Sequence, residues 1–213
     1  MTVTPNNKYI ISGSEDSSIK VFDFHTKQQV HHFQPAPGEK DAPQSVVHHE
    51  GILSVAVTSD SRFIISGSGG GSLKVFDLST KQQVHRLQKA HEGQFIVSTF
   101  LNLLAGILSV ALTPNNKYIV SASYDKSIKV FDLQTKQLVH HFRNAHEGND
   151  ILFQSLINDL AVIPSVAVTP DNRYLVSGSS DGSIKVFDLH TKQQVRHFQN
   201  AHESKEGDLL QFQ

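Results

Sequence analysis

Ser12-Gly-Ser-Glu-Asp-Ser-Ser-Ile-Lys-Val-Phe-Asp23 returns with few changes beginning at Ser66, Ser121 and Ser177. Reading outward, Val3-Thr-Pro-Asn-Asn-Lys-Tyr9 matches runs beginning at Val57, Leu112 and Val168, and Thr26-Lys-Gln-Gln-Val30 matches runs at Thr80, Thr135 and Thr191. A unit repeated four times at intervals of about 54 to 56 residues is the signature of a solenoid or propeller. Within the first copy, Thr2 to Thr4 reads as the end of a strand. Pro5-Asn-Asn-Lys8 reads as a turn, proline presetting one dihedral and asparagine tolerating a positive φ. Tyr9 to Ser14 is β-rich, Glu15 to Ser18 is a second turn, and Ile19-Lys-Val-Phe22 alternates between two faces. A third turn, Asp23 to Lys27, leads into Gln28 to Phe33.

Four short strands joined by three tight turns make an antiparallel meander, the blade of a propeller. The expected fold is therefore all-β: a β-propeller of four blades at about 1–34, 49–90, 107–145 and 163–201, either partial or completed by oligomerisation. Insertions occupy about 35–48, 94–106 and 149–162, and a tail follows at 203–213. Pro35 to Val47 is polar and proline-rich, which suits a solvated loop. Asn149 to Pro164 is apolar, with Phe153, Leu156, Ile157 and Leu160 on one helical face, so a short amphipathic helix is expected there.

The 213 residues carry a formal net charge of -1 and a pI near 6.9, with the lysines spread singly through the repeats. That balance argues against nucleic acid as a partner. The chain has no cysteine, which excludes disulfides and thiolate metal sites, and no leader-like segment follows Met1. A cytoplasmic location is expected. Gln94 to Leu112 is uncharged and long enough to span a bilayer, but Ser109 to Leu112 aligns with strand residues of the other copies, leaving too short a segment. No membrane association is expected.

The units resemble WD repeats. The resemblance is carried by the Ser-Gly-Ser-x-Asp-x-Ser-Ile-Lys-Val-Phe-Asp run, the Thr-Pro-Asn-Asn or Thr-Pro-Asp-Asn turn, and Ala-His-Glu at Ala90, Ala145 and Ala201, where the family has Gly-His. Two departures stand out. Phe22, Phe76, Phe131 and Phe187 occupy the position where the family favours tryptophan, and Gly70 replaces the motif aspartate in the second copy. The resemblance implies a buried hydrogen-bond network of His91, Ser121 and Asp125, repeated as His146, Ser177 and Asp181. It is reduced to His49 and Ser66 in the second copy and represented by Ser12 and Asp16 in the first. It also implies that the residue before the motif aspartate faces a partner: Glu15, Tyr124 and Ser180, with Tyr124 the strongest anchor because aromatic residues are enriched at interface hot spots.

Serine, histidine and aspartate are also the residue types of a hydrolytic triad. Their recurrence from copy to copy, and the lack of a Gly-x-Ser-x-Gly elbow, favour a structural role. Paired histidines at His31-His32 and His140-His141 point to opposite faces of a strand and cannot share one metal ion. The glycine run Gly67 to Gly71 lacks the Gly-Lys-Ser/Thr ending of a phosphate loop. The expected function is non-catalytic protein binding, without cofactor or metal. A structural or regulatory segment of a longer multidomain protein is the alternative, and a propeller hydrolase a minor one. Four blades are too few for an unstrained ring, so a homodimer forming an eight-blade ring, its tail leading into the N-terminal strand of the other copy, is a further expectation.

Overall fold

The computed structural model describes residues 1–34, 51–91, 106–146 and 162–201. Each of these four stretches is one sheet of four antiparallel strands in sequence order. The first blade holds β1 (Thr2–Val3), β2 (Tyr9–Gly13), β3 (Ile19–Asp23) and β4 (Gln29–Phe33). The second holds β5 (Ile52–Val57), β6 (Phe63–Ser68), β7 (Leu73–Asp77) and β8 (Gln82–Leu87). The third holds β9 (Ile107–Leu112), β10 (Tyr118–Ser123), β11 (Ile128–Asp132) and β12 (Leu138–Phe142), and the fourth β13 (Ser165–Val168), β14 (Tyr174–Gly178), β15 (Ile184–Asp188) and β16 (Gln193–Phe198). No helix among the described residues is long and apolar enough to cross a membrane. The insertions 35–48 and 94–105, the tail 203–213 and all but the last three residues of the helix expected from Asn149 to Pro164 lie outside the described residues.

The turns follow from their residues. In the β1–β2 turn and its counterparts the third residue adopts a left-handed conformation: Asn7 at φ 55°, Ser61 at 59°, Asn116 at 57° and Asn172 at 62°. Short polar side chains tolerate that region best. The threonine before the turn closes it, Thr4 Oγ1 accepting the Tyr9 amide at 2.9 Å and Thr113 Oγ1 the Tyr118 amide at 2.8 Å. At the β3–β4 turn the carboxylate of Asp23 accepts the amides of His25 and Thr26, and Asp77, Asp132 and Asp188 repeat the arrangement. At Asp77 the Ser79 hydroxyl, chief among several donors, lowers the carboxyl to a pKa of about 2.

A single four-stranded sheet has two apolar faces and no interior of its own, so the hydrophobic cores form between blades. The first joint packs Ile11, Ile19, Val21 and Phe33 of blade one against Ile52, Val55, Ile64 and Phe76 of blade two. The second joins Ile65, Leu73 and Val75 to Ile107, Val110, Ile119 and Phe131. The third joins Val120, Ile128, Val130 and Phe142 to Ile163, Val166, Leu175 and Phe187. The phenylalanine standing in the family's tryptophan position is therefore a joint residue: the Phe33 and Phe76 rings lie 4.8 Å apart, and Phe142 and Phe187 4.6 Å apart.

Each joint has a tight spot. A Cβ added to Gly67 would stand 2.5 Å from Ile107 Cγ2 and 2.9 Å from Val110 Cγ2. Both obstacles are side-chain ends, and Ala122 occupies the equivalent place in the third blade. Gly67→Ala is therefore expected to lower stability by about 1 kcal/mol, the low end of overpacking costs, because Ile107 and Val110 have to move. Equilibrium urea unfolding measures it, and an unchanged midpoint would show that this joint is looser than described.

Candidate functional site

At one end of the blades, the β6–β7, β10–β11 and β14–β15 turns meet the segments that enter their own blades, through backbone hydrogen bonds from Gly69 N to Gly51 O at 2.9 Å, Tyr124 N to Gly106 O at 3.0 Å and Ser180 N to Val162 O at 3.0 Å; the β2–β3 turn meets the segment entering the next blade, Ile52 N donating to Ser14 O at 2.9 Å. The loops that leave blades two and three fold back onto the β6–β7 and β10–β11 turns of their own blades, His91 N donating to Gly71 O at 3.1 Å and Ala145 N to Lys126 O at 2.9 Å. These bonds hold His91 and His146 inward, where both are buried.

His91 Nδ1 lies 2.9 Å from Asp125 Oδ2, and its Nε2 lies 2.7 Å from Ser121 Oγ. Burial pushes the imidazole below its ordinary pKa, more than Asp125 raises it, so the ring is neutral at pH 7. The bonding pattern fixes its tautomer: Nδ1–H donates to the carboxylate and Nε2 accepts from the Ser121 hydroxyl. Asp125 is itself partly desolvated, which works against its charge. Hydrogen bonds from His91 and Ser127 outweigh that and hold its carboxyl below the usual range. In the fourth blade His146 Nε2 lies 2.7 Å from Ser177 Oγ, while Nδ1 lies 2.9 Å from Ser183 Oγ and 3.4 Å from Asp181 Oδ2.

Sequence reading singles out three members of each set, and the geometry adds a fourth. The Ser127 hydroxyl donates to Asp125 Oδ1 at 2.6 Å and lies 3.1 Å from His91 Nδ1; Ser183 does the same work between Asp181 and His146. With tryptophan replaced by phenylalanine, the chain of polar groups ends at this serine and the aspartate. Lys129 is a further participant, its ammonium donating to Ala90 O at 2.8 Å and so anchoring the histidine loop. The signal for both was present in the repeat, since serine recurs two residues after the motif aspartate and lysine two residues after that.

The other two blades differ. His49 lies outside the described residues, and the buried Ser66 hydroxyl has no hydrogen-bond partner among those described. Gly70 supplies no carboxylate, and Ser68 Oγ and Ser72 Oγ bond each other instead at 2.8 Å. In the first blade Ser12 and Asp16 have no histidine beside them among the described residues. Asp16 is exposed, and the adjacent Ser18, whose amide donates to Asp16 Oδ1 at 3.0 Å, holds its pKa at about 2.

As chemistry, the Ser121–His91–Asp125 set has the order of a triad but no access. Ser121 is 0% exposed and His91 1%, so a substrate carbonyl has no path to the hydroxyl. The histidine pairs also resolve as structural. His31 stands edge-on to Phe33 at 4.3 Å and His140 edge-on to Phe142 at 4.4 Å. No group of three potential metal ligands occurs among the described residues.

The position before the motif aspartate lies at the surface of this end in three of the four blades, Gly69 of the second being buried. Glu15 and Ser180 are exposed, and Tyr124 is half-buried against Gly106, where an added Cβ would stand 3.1 Å from the ring. The four copies carry Glu15, Gly69, Tyr124 and Ser180 here, four different chemistries at one position of an otherwise repeated turn.

The family model described as WD domain, G-beta repeat matches residues 1–23, 42–77, 82–132 and 154–188. Among curated proteins, the chain is 23% identical over 206 residues to a striatin homolog from Dictyostelium discoideum, covering 97% of this chain and 22% of that protein. It is 25% identical over 201 residues to a guanine nucleotide-binding protein subunit beta from Oryza sativa subsp. japonica, covering 94% and 46%. It is 24% identical over 209 residues to nuclear distribution protein PAC1 from Saccharomyces cerevisiae (strain YJM789), covering 92% and 39%. The chain thus spans less than half the length of each of these relatives.

Proposed function

Because the chain belongs to the WD40 family of G-beta-type repeats, we propose that it is a non-catalytic, cytoplasmic scaffold that binds a protein partner through the turns at one end of its blades. The observation that carries this reading is the contrast within the repeat. Residues that tie loops to strands recur from blade to blade, whereas the position between them varies from Glu15 to Gly69, Tyr124 and Ser180, and reaches solvent in every copy but the second, where Gly69 is buried. Repetition suits a rigid frame, and variation on a rigid frame suits recognition. The likeness to a striatin homolog and a guanine nucleotide-binding protein subunit beta supports the same reading. Their greater length favours a part in a longer protein as the second reading, with this chain as its propeller region. The inaccessible Ser121 argues against a hydrolase.

Tyr124 is the proposed anchor. Tyr124→Ala is expected to weaken partner capture about tenfold, equivalent to about 1.4 kcal/mol, while leaving the melting transition near that of the native chain. Quantitative pull-down with the intact chain and the variant measures this. Equal recovery of every captured protein by the native chain and by a Glu15/Tyr124/Ser180 triple alanine variant would contradict the reading.

A further inference from the structure

The three joints are built from equivalent residues, but their outer openings are filled differently. At the second joint Lys136 of blade three stands with Nζ 5.9 Å from the Phe63 ring centroid and donates to Leu133 O, and at the third Lys192 of blade four stands 5.2 Å from the Tyr118 ring centroid. Both lysines are half-buried, and burial lowers the pKa of each ammonium. Each aliphatic stem therefore lies across the opening of its joint, with the charged head carried past it. Leu133 and Leu189, three residues before these lysines, are 6% and 3% exposed.

At the first joint the equivalent lysine, Lys81, is exposed, and Leu78 is only half-buried. The opening is left as a cavity of about 60 Å³ between blades one and two. Val21, Phe33 and Leu78 give it an apolar floor, and Tyr9, Val30, His31 and Lys81 line its mouth. Burial, ahead of the charge on Lys81, lowers the His31 pKa, so that ring is neutral at pH 7 and adds apolar wall. Positive charge stands at Lys81 and at Lys8, whose Nζ lies 5.1 Å from the Tyr9 ring centroid. The nearest carboxylates along the chain are already engaged: Asp23 accepts the amides of His25 and Thr26, and Asp77 pairs with Arg62 at 3.3 Å.

We propose that this cavity binds an acidic peptide segment, a short branched aliphatic side chain filling it and a neighbouring carboxylate pairing with Lys81 and Lys8. A cavity needs about 10 to 15 Å³ to hold one water and about 150 Å³ to hold a benzene ring, so about 60 Å³ fits a valine-sized group and excludes an aromatic one. An aliphatic filling is also what the molecule itself uses, since lysine stems close the other two joints. The two uncompensated ammonium groups select the acidic flank. The cavity lies toward the β3–β4 end of the blade, where Tyr9 pairs with Asp23; the end that carries Glu15 is the one where Gly13 pairs with Ile19. It is therefore separate from the proposed recognition turns and does not depend on them.

Fluorescence anisotropy of a labelled acetyl-Glu-Asp-Val-Asp-Glu-amide peptide with the full chain tests the proposal, and saturable binding is expected. Lys81→Glu reverses the charge at the mouth and should weaken binding about tenfold. Val30→Trp enlarges a residue that is 39% exposed beside the cavity and should weaken it by blocking entry. Both variants should keep the far-ultraviolet circular dichroism of the native chain. Lys136→Glu, the same charge change at a closed joint, and Tyr124→Ala should leave the affinity unchanged. Replacing the peptide's valine by phenylalanine, or its acids by their amides, should weaken binding about tenfold. Absence of saturable binding, native affinity in Lys81→Glu or Val30→Trp, or equal affinity for the phenylalanine peptide would each overturn the proposal. Failure of partner capture through Tyr124 leaves these readouts unaffected, so the two readings fail separately.

Discussion

Phe142→Ala should cost about 3 to 5 kcal/mol in equilibrium urea unfolding, the range for removing a buried aromatic ring. The ring is 8% exposed and packs in the third joint against Phe187 at 4.6 Å, with the His140 ring edge-on at 4.4 Å. Its neighbours have little freedom to close the void. β12 is held to β11 in register, Ile128 opposite Phe142, and Phe187 is itself fixed between Leu175 and Gln194 of the flanking strands. Phe198→Ala removes the same side chain from the same strand position in blade four, where the ring is 52% exposed, and should change stability by no more than about 0.5 kcal/mol. Melts of the two variants make the comparison within one sequence. Equal losses would mean that the joints between blades do not hold the core.

The strands were legible because the repeat supplies its own alignment: Tyr9, Phe63, Tyr118 and Tyr174 all open a second strand and Asp23, Asp77, Asp132 and Asp188 all close a third. The location of the cores was not. In a blade buried on both sides, neighbouring residues such as Ile64 and Ile65 are both apolar, so alternation does not say that Ile64 packs toward blade one and Ile65 toward blade three. At the candidate site, the histidine, serine and aspartate positions could be read from the motif. Ser127 and Lys129 looked like ordinary strand and turn residues, and only their distances to His91, Asp125 and Ala90 give them a part. Tyr124 could be placed on a turn from sequence alone, but its packing on Gly106 required coordinates.

The Ser-His-Asp set is a clasp that ties the loops leaving blades two and three to the next blade, and its strength depends on the carboxylate. Asp125→Ala removes the acceptor of His91 Nδ1–H and of the Ser127 amide and hydroxyl, all buried or partly buried donors. Because a buried donor left unmatched costs about 1 to 3 kcal/mol, a loss of about 2 to 3 kcal/mol is expected. The second blade offers the reverse edit. Gly71, at φ 76°, takes the left-handed position of that turn and Gly70 does not, so a side chain at position 70 meets no backbone penalty. An aspartate there can accept the Ser72 amide as Asp125 accepts that of Ser127, and Gly70→Asp should add about 1 kcal/mol. Paired urea melts of Asp125→Ala and Gly70→Asp test the clasp most directly. Opposite shifts of the midpoint, down for the first and up for the second, are predicted; an Asp125→Ala midpoint equal to that of the native chain would contradict it.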